Sequence, residues 1–157
     1  MKLSELLREE HILVDLQAKD KWEAMEKLLE GPVAQGRIRA DLRLTVYDAL
    51  VAREKIASTG MEFGVAIPHA SVEGLEDAVA AFGLSPKGVP FQSADGQPAR
   101  LILLLAIPRK KVPQHIRTLA AIARLLNYEE TRDALLQART AREVLKVVRE
   151  EEQREFA

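Results

Sequence analysis

Seven consecutive apolar residues, Leu101-Ile102-Leu103-Leu104-Leu105-Ala106-Ile107, constrain the fold more than any other part of this chain. A strand with one wet face alternates apolar and polar residues, whereas an unbroken run of this length marks a strand buried on both faces. The run is far shorter than the roughly 20 residues that cross a bilayer. Further strands are expected at His11 to Leu16, around Ile12, Leu13 and Val14, and at Ala78 to Leu84. Ser85-Pro86-Lys87-Gly88 reads as a turn, and Val89 to Phe91 as a short edge strand after it. Asp95-Gly96 is a second turn signal.

Helical patterns lie on either side of these strands. Leu3 to Arg8 predicts a short helix, and Lys19 to Leu29 a longer one with Trp22, Met25 and Leu29 on one face, broken or kinked by Gly31-Pro32. Asp41 is a plausible N-cap for a helix to about Arg53, with Leu42, Val46, Ala49 and Leu50 inward. Pro113 suits the first turn of a helix to Leu126, whose inner stripe reads Ile116, Leu119, Ala120, Ala123 and Leu126. Asn127 with Glu130, and Thr140 with Glu143, make capping-box patterns for two further helices. The charged tail from about Glu150 predicts a solvated, fraying helix end. Strands with helices at both ends of the chain point to one layered, mixed-sheet domain over residues 1–157.

Composition narrows the chemistry. The 23 basic and 24 acidic residues nearly cancel, so nothing in the balance calls for nucleic acid or an anionic membrane. The absence of cysteine excludes disulfides, thiolate metal sites and cysteine nucleophiles, and suits the cytosol. Met1 to Glu10 is too charged for a signal peptide. A cytoplasmic protein is expected.

The stretch from Ser58 to Ala70 carries the strongest functional signal. Met61, Phe63, Val65 and Ile67 alternate with Glu62, Gly64 and Ala66, as in a strand with one apolar face. Pro68 should end it, leaving His69 at a strand terminus, where a rigid element aims a side chain that a loop leaves accessible. His115, two residues after Pro113, is either an ordinary first-turn residue or an imidazole kept neutral by the helix dipole, in a place that welcomes an anion. His11 has no motif around it and reads as a structural histidine. A neutral imidazole with an anion-friendly helix end suits phosphoryl transfer through phosphohistidine. Arg53 is the candidate cationic donor, and Thr59 a candidate hydroxyl. Rival constellations are weak: Ser58 lies near His69 but no G-x-S-x-G elbow exists, no H-x-x-x-H spacing suggests a metal, and no Walker A loop suggests a nucleotide. Arg109-Lys110-Lys111 is either a solvated basic loop or a docking element.

Arg53-Glu54-Lys55-Ile56-Ala57-Ser58-Thr59-Gly60 with Gly64-Val65-Ala66-Ile67-Pro68-His69-Ala70 resembles the active-site signature of the fructose/mannitol-type enzyme IIA domain of the bacterial phosphoenolpyruvate-dependent sugar phosphotransferase system. Nitrogen-regulatory enzyme IIA proteins share it, and the similarity covers nearly the whole chain. The resemblance implies a three-layer α/β/α sandwich around a small mixed sheet. It implies His69 as phosphoacceptor through Nε2, with His115 and Arg53 as the accompanying histidine and arginine, and Thr59 and Ser58 of the S-T-G element as phosphoryl-binding hydroxyls. Glu62 and Phe63 depart from the usual pattern, and the Glu62 carboxylate either faces the phosphoryl group or points away. The implied donor is a phosphohistidine carrier protein. The implied acceptor is an enzyme IIB partner or, in a regulatory member, a target protein bound according to phosphorylation state. No cofactor or metal is implied. Met61, Phe63 and Ile116, ringed by Arg109, Lys110, Lys111 and Arg117, form the expected docking patch.

Overall fold

A computed structural model describes residues 2–155. Its helices are α1 (Leu3–Leu6), α2 (Lys21–Ala34), α3 (Arg43–Ile56), α4 (Val112–Leu126), α5 (Glu129–Gln137) and α6 (Ala141–Glu155). Its strands are β1 (Ile12–Leu13), β2 (Val65–Ala66), β3 (His69–Val72), β4 (Val79–Val89) and β5 (Ala99–Pro108). The sheet order is β1-β4-β5-β2, with β3 also paired to β5. β2 lies beside Leu101–Ile102 and β3 beside Leu105–Pro108, so these two short strands share one lane, parallel to β5. β4 and β5 are antiparallel, and β1 is parallel to β4.

The apolar run behaves as its composition demands. Leu101, Leu103, Leu105 and Ile107 face one core with Ala80, Phe82 and Leu84 of β4, covered by α1, α4, α5 and α6. Ile102, Leu104 and Ala106 face the opposite core with Val79 and Ala81, covered by Met25 and Leu28 of α2 and Val46 and Leu50 of α3. The result is a mixed sheet between two helical layers, an α/β/α sandwich.

Several local expectations are corrected. Gly31-Pro32 does not break α2, which runs on to Ala34. A Cβ on Gly31 would lie 2.3 Å from the Glu10 carbonyl oxygen, so this glycine is there to let the helix meet the preceding backbone. Ser85–Gly88 is not a turn between two strands. β4 passes through it with a register shift between Leu84 and Val89, eased by Gly88 at φ 82°. Asp41 sits in a 3₁₀ turn, Ala40–Leu42, and pairs with Arg39 instead of capping α3. The N-cap of α5 is Tyr128, and Arg132 closes that junction by donating to the carbonyls of Leu126 and Asn127. The Thr140–Glu143 pattern holds, with the Glu143 N–H donating to Thr140 Oγ1 at 3.1 Å. The charged tail does not fray into solvent at Glu152. That carboxylate is buried and accepts from both the N–H and the hydroxyl of Ser4, tying α6 to α1.

Gly31→Ala should destabilise the protein by about 1–3 kcal/mol through overpacking against Glu10, although alanine is the better helix former by roughly 1 kcal/mol. Denaturant titration checks this, and a raised midpoint would refute the close-approach explanation.

Candidate active site

Only Val65–Ala66 of the expected motif strand is strand. Phe63 (φ 63°) and Gly64 (φ 74°) form a turn of positive φ, closed by the Met61 N–H donating to the Val65 carbonyl at 2.7 Å. The alternation survives for another reason. Met61, Val65 and Ile67 pack on the core, while Phe63 stands 58% exposed at the turn. Pro68 interrupts the lane without ending it. Its carbonyl accepts the Leu105 N–H at 3.0 Å, and pairing resumes at once with His69 opposite Leu105. His69 therefore opens β3; it does not trail a strand.

This register holds the imidazole. His69 Nδ1 lies 2.7 Å from the Ile67 carbonyl oxygen. A carbonyl can only accept, so Nδ1 carries a proton, and the neutral tautomer compatible with this contact has its free lone pair on Nε2. The ring is half-buried and lines a cleft of about 430 Å³ between β3, α3 and α4. Arg53 and Ile56 enter from α3, and His115, Ile116 and Leu119 from α4. Among the described residues, no carboxylate lines this cleft. Arg53 donates from Nη1 to the Ala57 carbonyl at 2.8 Å, which orients the guanidinium and leaves further N–H groups for an oxyanion.

His115 is almost wholly buried, with Nδ1 3.2 Å from Thr118 Oγ1. Burial, helped by the charge of Lys111, holds its pKa below the ordinary histidine value, so the ring stays neutral beside the start of α4. This pair also explains why the expected inner stripe of α4 is turned by one residue. Burying His115 and Thr118 together satisfies both polar groups and rotates Ile116 outward to 62% exposure. Ala120 turns outward as well, while Leu119 and Ala123 are half-buried and Leu126 is buried. Ile116 with Ile56, itself 81% exposed, makes an apolar rim to the cleft.

The structure brings His69, His115, Arg53 and Ile116 together. Ser58 and Thr59 are not among the residues lining the cleft. The Ser58 hydroxyl donates to the Phe91 carbonyl, and the Thr59 hydroxyl donates to Glu54 at 2.7 Å. Ser71 lines the cleft instead, on the face of β3 that it shares with His69; the two-residue strand period could have indicated it. Met61, Glu62 and Phe63 line a separate hollow of about 360 Å³ with Leu126 and Asn127, at the far end of α4. The Glu62 carboxylate thus belongs to another concavity, and the apolar centre of the expected docking patch is split. There the Arg132 guanidinium lies 4.5 Å from the Phe63 ring centroid. In the basic loop, Arg109 pairs with Glu73 at 3.1 Å and Lys111 with Asp77 at 3.2 Å, tying the segment after β5 to the connection between β3 and β4; Lys110 and Arg117 are exposed.

Comparison with known proteins bears on this geometry. The family model described as "Phosphoenolpyruvate-dependent sugar phosphotransferase system, EIIA 2" matches residues 5–151. The chain is 36% identical to the "PTS system fructose-specific EIIA component" of Haloferax volcanii over 127 residues, 81% of each chain. The crystal structure of the nitrogen regulatory protein IIA-Ntr from Neisseria meningitidis superposes with a TM-score of 0.84 at 29% identity, covering 93% of this chain and 98% of that one. The fold is also that of enzyme IIA-Mtl from Escherichia coli, solved in complex with phosphorylated enzyme IIB-Mtl, at TM-score 0.76 and 23% identity over 92% and 97% of the two chains. The chain belongs to the EIIA-2 family of the phosphotransferase system, whose components transfer phosphoryl groups via histidine. Among the described residues, no helix is long and apolar enough to cross a membrane.

Two buried histidines predict a pH dependence. His11 donates through Nδ1 to the Ala80 carbonyl, has no partner for Nε2 among the described residues, and is held below the usual value of 6.5, chiefly by burial. For His11 and His115 alike the unfolded chain binds the proton more readily than the native state. Stability is therefore complete above an unfolded value of about 6.5 and declines as the pH falls through and below it. Replacing His11 and His115 together with glutamine should flatten that decline in denaturant titrations between neutral and mildly acidic pH. An unchanged slope would show that other groups carry the acid sensitivity.

Proposed function

We propose that this chain is a cytoplasmic phosphocarrier that accepts a phosphoryl group on Nε2 of His69 from a phosphohistidine carrier protein and passes it to an enzyme IIB partner. One observation carries the reading: the Ile67 carbonyl fixes a proton on Nδ1, so the nucleophilic nitrogen belongs to a cleft with a guanidinium, a second imidazole and, among the described residues, no carboxylate. In the transfer, the N–P bond of the donor phosphohistidine breaks as the Nε2–P bond forms. The proton stays on Nδ1, and the Ile67 carbonyl oxygen that accepts it faces the positive charge that develops on the ring. Arg53 and His115 are placed to face the phosphoryl oxygens, whose charge is spread over three equatorial positions. The rest of catalysis is positioning and electrostatics. The apolar rim at Ile56 and Ile116 supplies the centre of a transient docking surface, and Arg117, exposed and next to Ile116 in sequence, adds positive charge to it.

A second reading, a regulatory protein that binds targets according to its phosphorylation state, is favoured by the likeness to nitrogen regulatory protein IIA-Ntr. Both readings share the acceptor. They separate at the next step, where a IIB partner either takes the phosphoryl group or is absent from the genomic neighbourhood.

Incubation with phosphoenolpyruvate, enzyme I and carrier protein should add the mass of one phosphoryl group to the wild type and none to His69→Ala. Addition that persists in His69→Ala would move the acceptor elsewhere. His115→Ala should still be phosphorylated but pass the group onward more slowly, and normal onward transfer would deny it the assigned role. Ile116→Asp should raise the KM for the carrier protein by roughly tenfold, as expected for an exposed anchor at an interface centre. An unchanged KM would place docking elsewhere.

A further inference from the structure

We propose that buried Glu54, acting through Thr59, is the positioning residue that aims both His69 and Arg53 at the transferred group; this rests on the phosphoryl-acceptance reading above. Arg53 and Glu54 are neighbours in the last turn of α3, so their side chains leave the helix about 100° apart. Arg53 lines the cleft, while Glu54 turns into the interior and is almost completely buried. Its carboxylate accepts the Thr59 N–H at 2.9 and 3.0 Å and the Thr59 hydroxyl at 2.7 Å. Lys21, also buried, brings Nζ to 3.7 Å from the same carboxylate, with the Trp22 and Phe91 rings 5.4 and 5.5 Å from that nitrogen.

Two branches leave this anchor. In the first, the Thr59 carbonyl accepts the Ile67 N–H at 3.2 Å, and the Ile67 carbonyl accepts Nδ1–H of His69 at 2.7 Å. Thr59 thus sets the peptide unit that selects the reactive tautomer. In the second, Glu54 folds the segment after α3 back onto the helix, and the Ala57 carbonyl in that segment holds the Arg53 guanidinium at 2.8 Å. The segment is fixed from its other side too. Ser58 donates to the Phe91 carbonyl, and a Cβ on Gly60 would lie 2.7 Å from Ser93 Oγ and 2.9 Å from Ser93 Cα. One carboxylate that lines no part of the cleft therefore governs the orientation of both groups that do. A buried ion pair contributes little to net stability relative to an apolar pair, and its best-attested use is to fix one arrangement among several. Misplacement of reacting groups by about 1 Å lowers phosphoryl transfer by up to roughly a hundredfold, so an anchor at this distance is able to set the rate.

The test uses Thr59→Val, which keeps the side-chain shape and the backbone N–H but removes the hydroxyl donor, with Thr59→Ser as the conservative partner. ¹⁵N NMR of His69 reports the tautomer, and steady-state phosphorylation by the carrier protein reports KM and kcat. Thr59→Val is expected to lower kcat about tenfold with KM unchanged within about twofold and to mix the Nε2–H tautomer into His69, and Thr59→Ser to restore both. Lys21→Met combined with Glu54→Gln removes the anchor charge without stranding its partner, and is expected to give the same kcat loss and tautomer mixing if Thr59→Val does not fold. A fall in kcat with the tautomer unmoved would mean that the hydroxyl meets the phosphoryl group directly, and would overturn the proposal. So would an unchanged kcat, or a change confined to KM. If wild type accepts no phosphoryl group, the proposed function fails, while the tautomer comparison alone still decides whether Glu54 positions His69.

Discussion

Burial of β5 on both faces is the constraint from which the rest follows. Each fully buried leucine of Leu101 to Leu105 is worth roughly 2 kcal/mol only if water is excluded from its side of the sheet. Leu101, Leu103 and Leu105 need one helical layer, and Ile102 and Leu104 need the other. That requirement puts helices on both sides of the sheet. It also fixes where chemistry can sit. With both faces covered, reactive groups must stand at an edge of the sheet or where strands end. β3 is such an element, four residues long, in the lane that it shares with β2 beside β5.

Pairing with β5 does more than hold β3 in place. Leu105 donates to the carbonyl of Pro68 and lies opposite His69, so the most deeply buried strand indexes the register of this histidine. Around that ring the charges are one-sided. Arg53 is cationic, His115 is kept neutral by burial, and the acidic residue next in sequence to Met61 lies in a different hollow. A neutral second imidazole offers a phosphoryl group a polar partner without trapping it as a fixed cation would. That suits a carrier, which must release the group as readily as it takes it.

Much of this was legible in the amino-acid pattern, and the misses have a common cause. The two-faced strand and the helix from Pro113 to Leu126 were readable because each depends on local period, whereas the grouping of His69, His115 and Arg53, which stand on three separate elements, rested on the family resemblance. The failures came where apolar spacing had more than one structural solution. Met61 to Ile67 alternates as a strand does, but two residues of positive φ turn it into a hairpin-like bend with only Val65–Ala66 in the sheet. The apolar residues of α4 admit two rotations about its axis. The deciding contact is the bond between His115 and Thr118, which only a packed helix reveals. Gly31-Pro32 has the composition of a helix breaker, yet the glycine answers to a backbone oxygen from another part of the chain.

Thr59 carries the same lesson into the site. A hydroxyl in a conspicuous motif invites assignment to the substrate, because motif residues that touch the reaction and motif residues that hold it in shape look alike in sequence. What separates them is the partner, and here the partner is Glu54, paired in turn with Lys21 from the start of a different helix. The first contact lies within the quoted motif but has no periodic pattern to mark it, and the second joins residues far apart in the chain. A buried carboxylate accepting three bonds from one residue cannot also give that residue up to a passing phosphoryl group without leaving its own charge underserved in a dry interior. The S-T-G element thus acts on the chemistry from behind, through the two peptide units that aim the imidazole and the guanidinium.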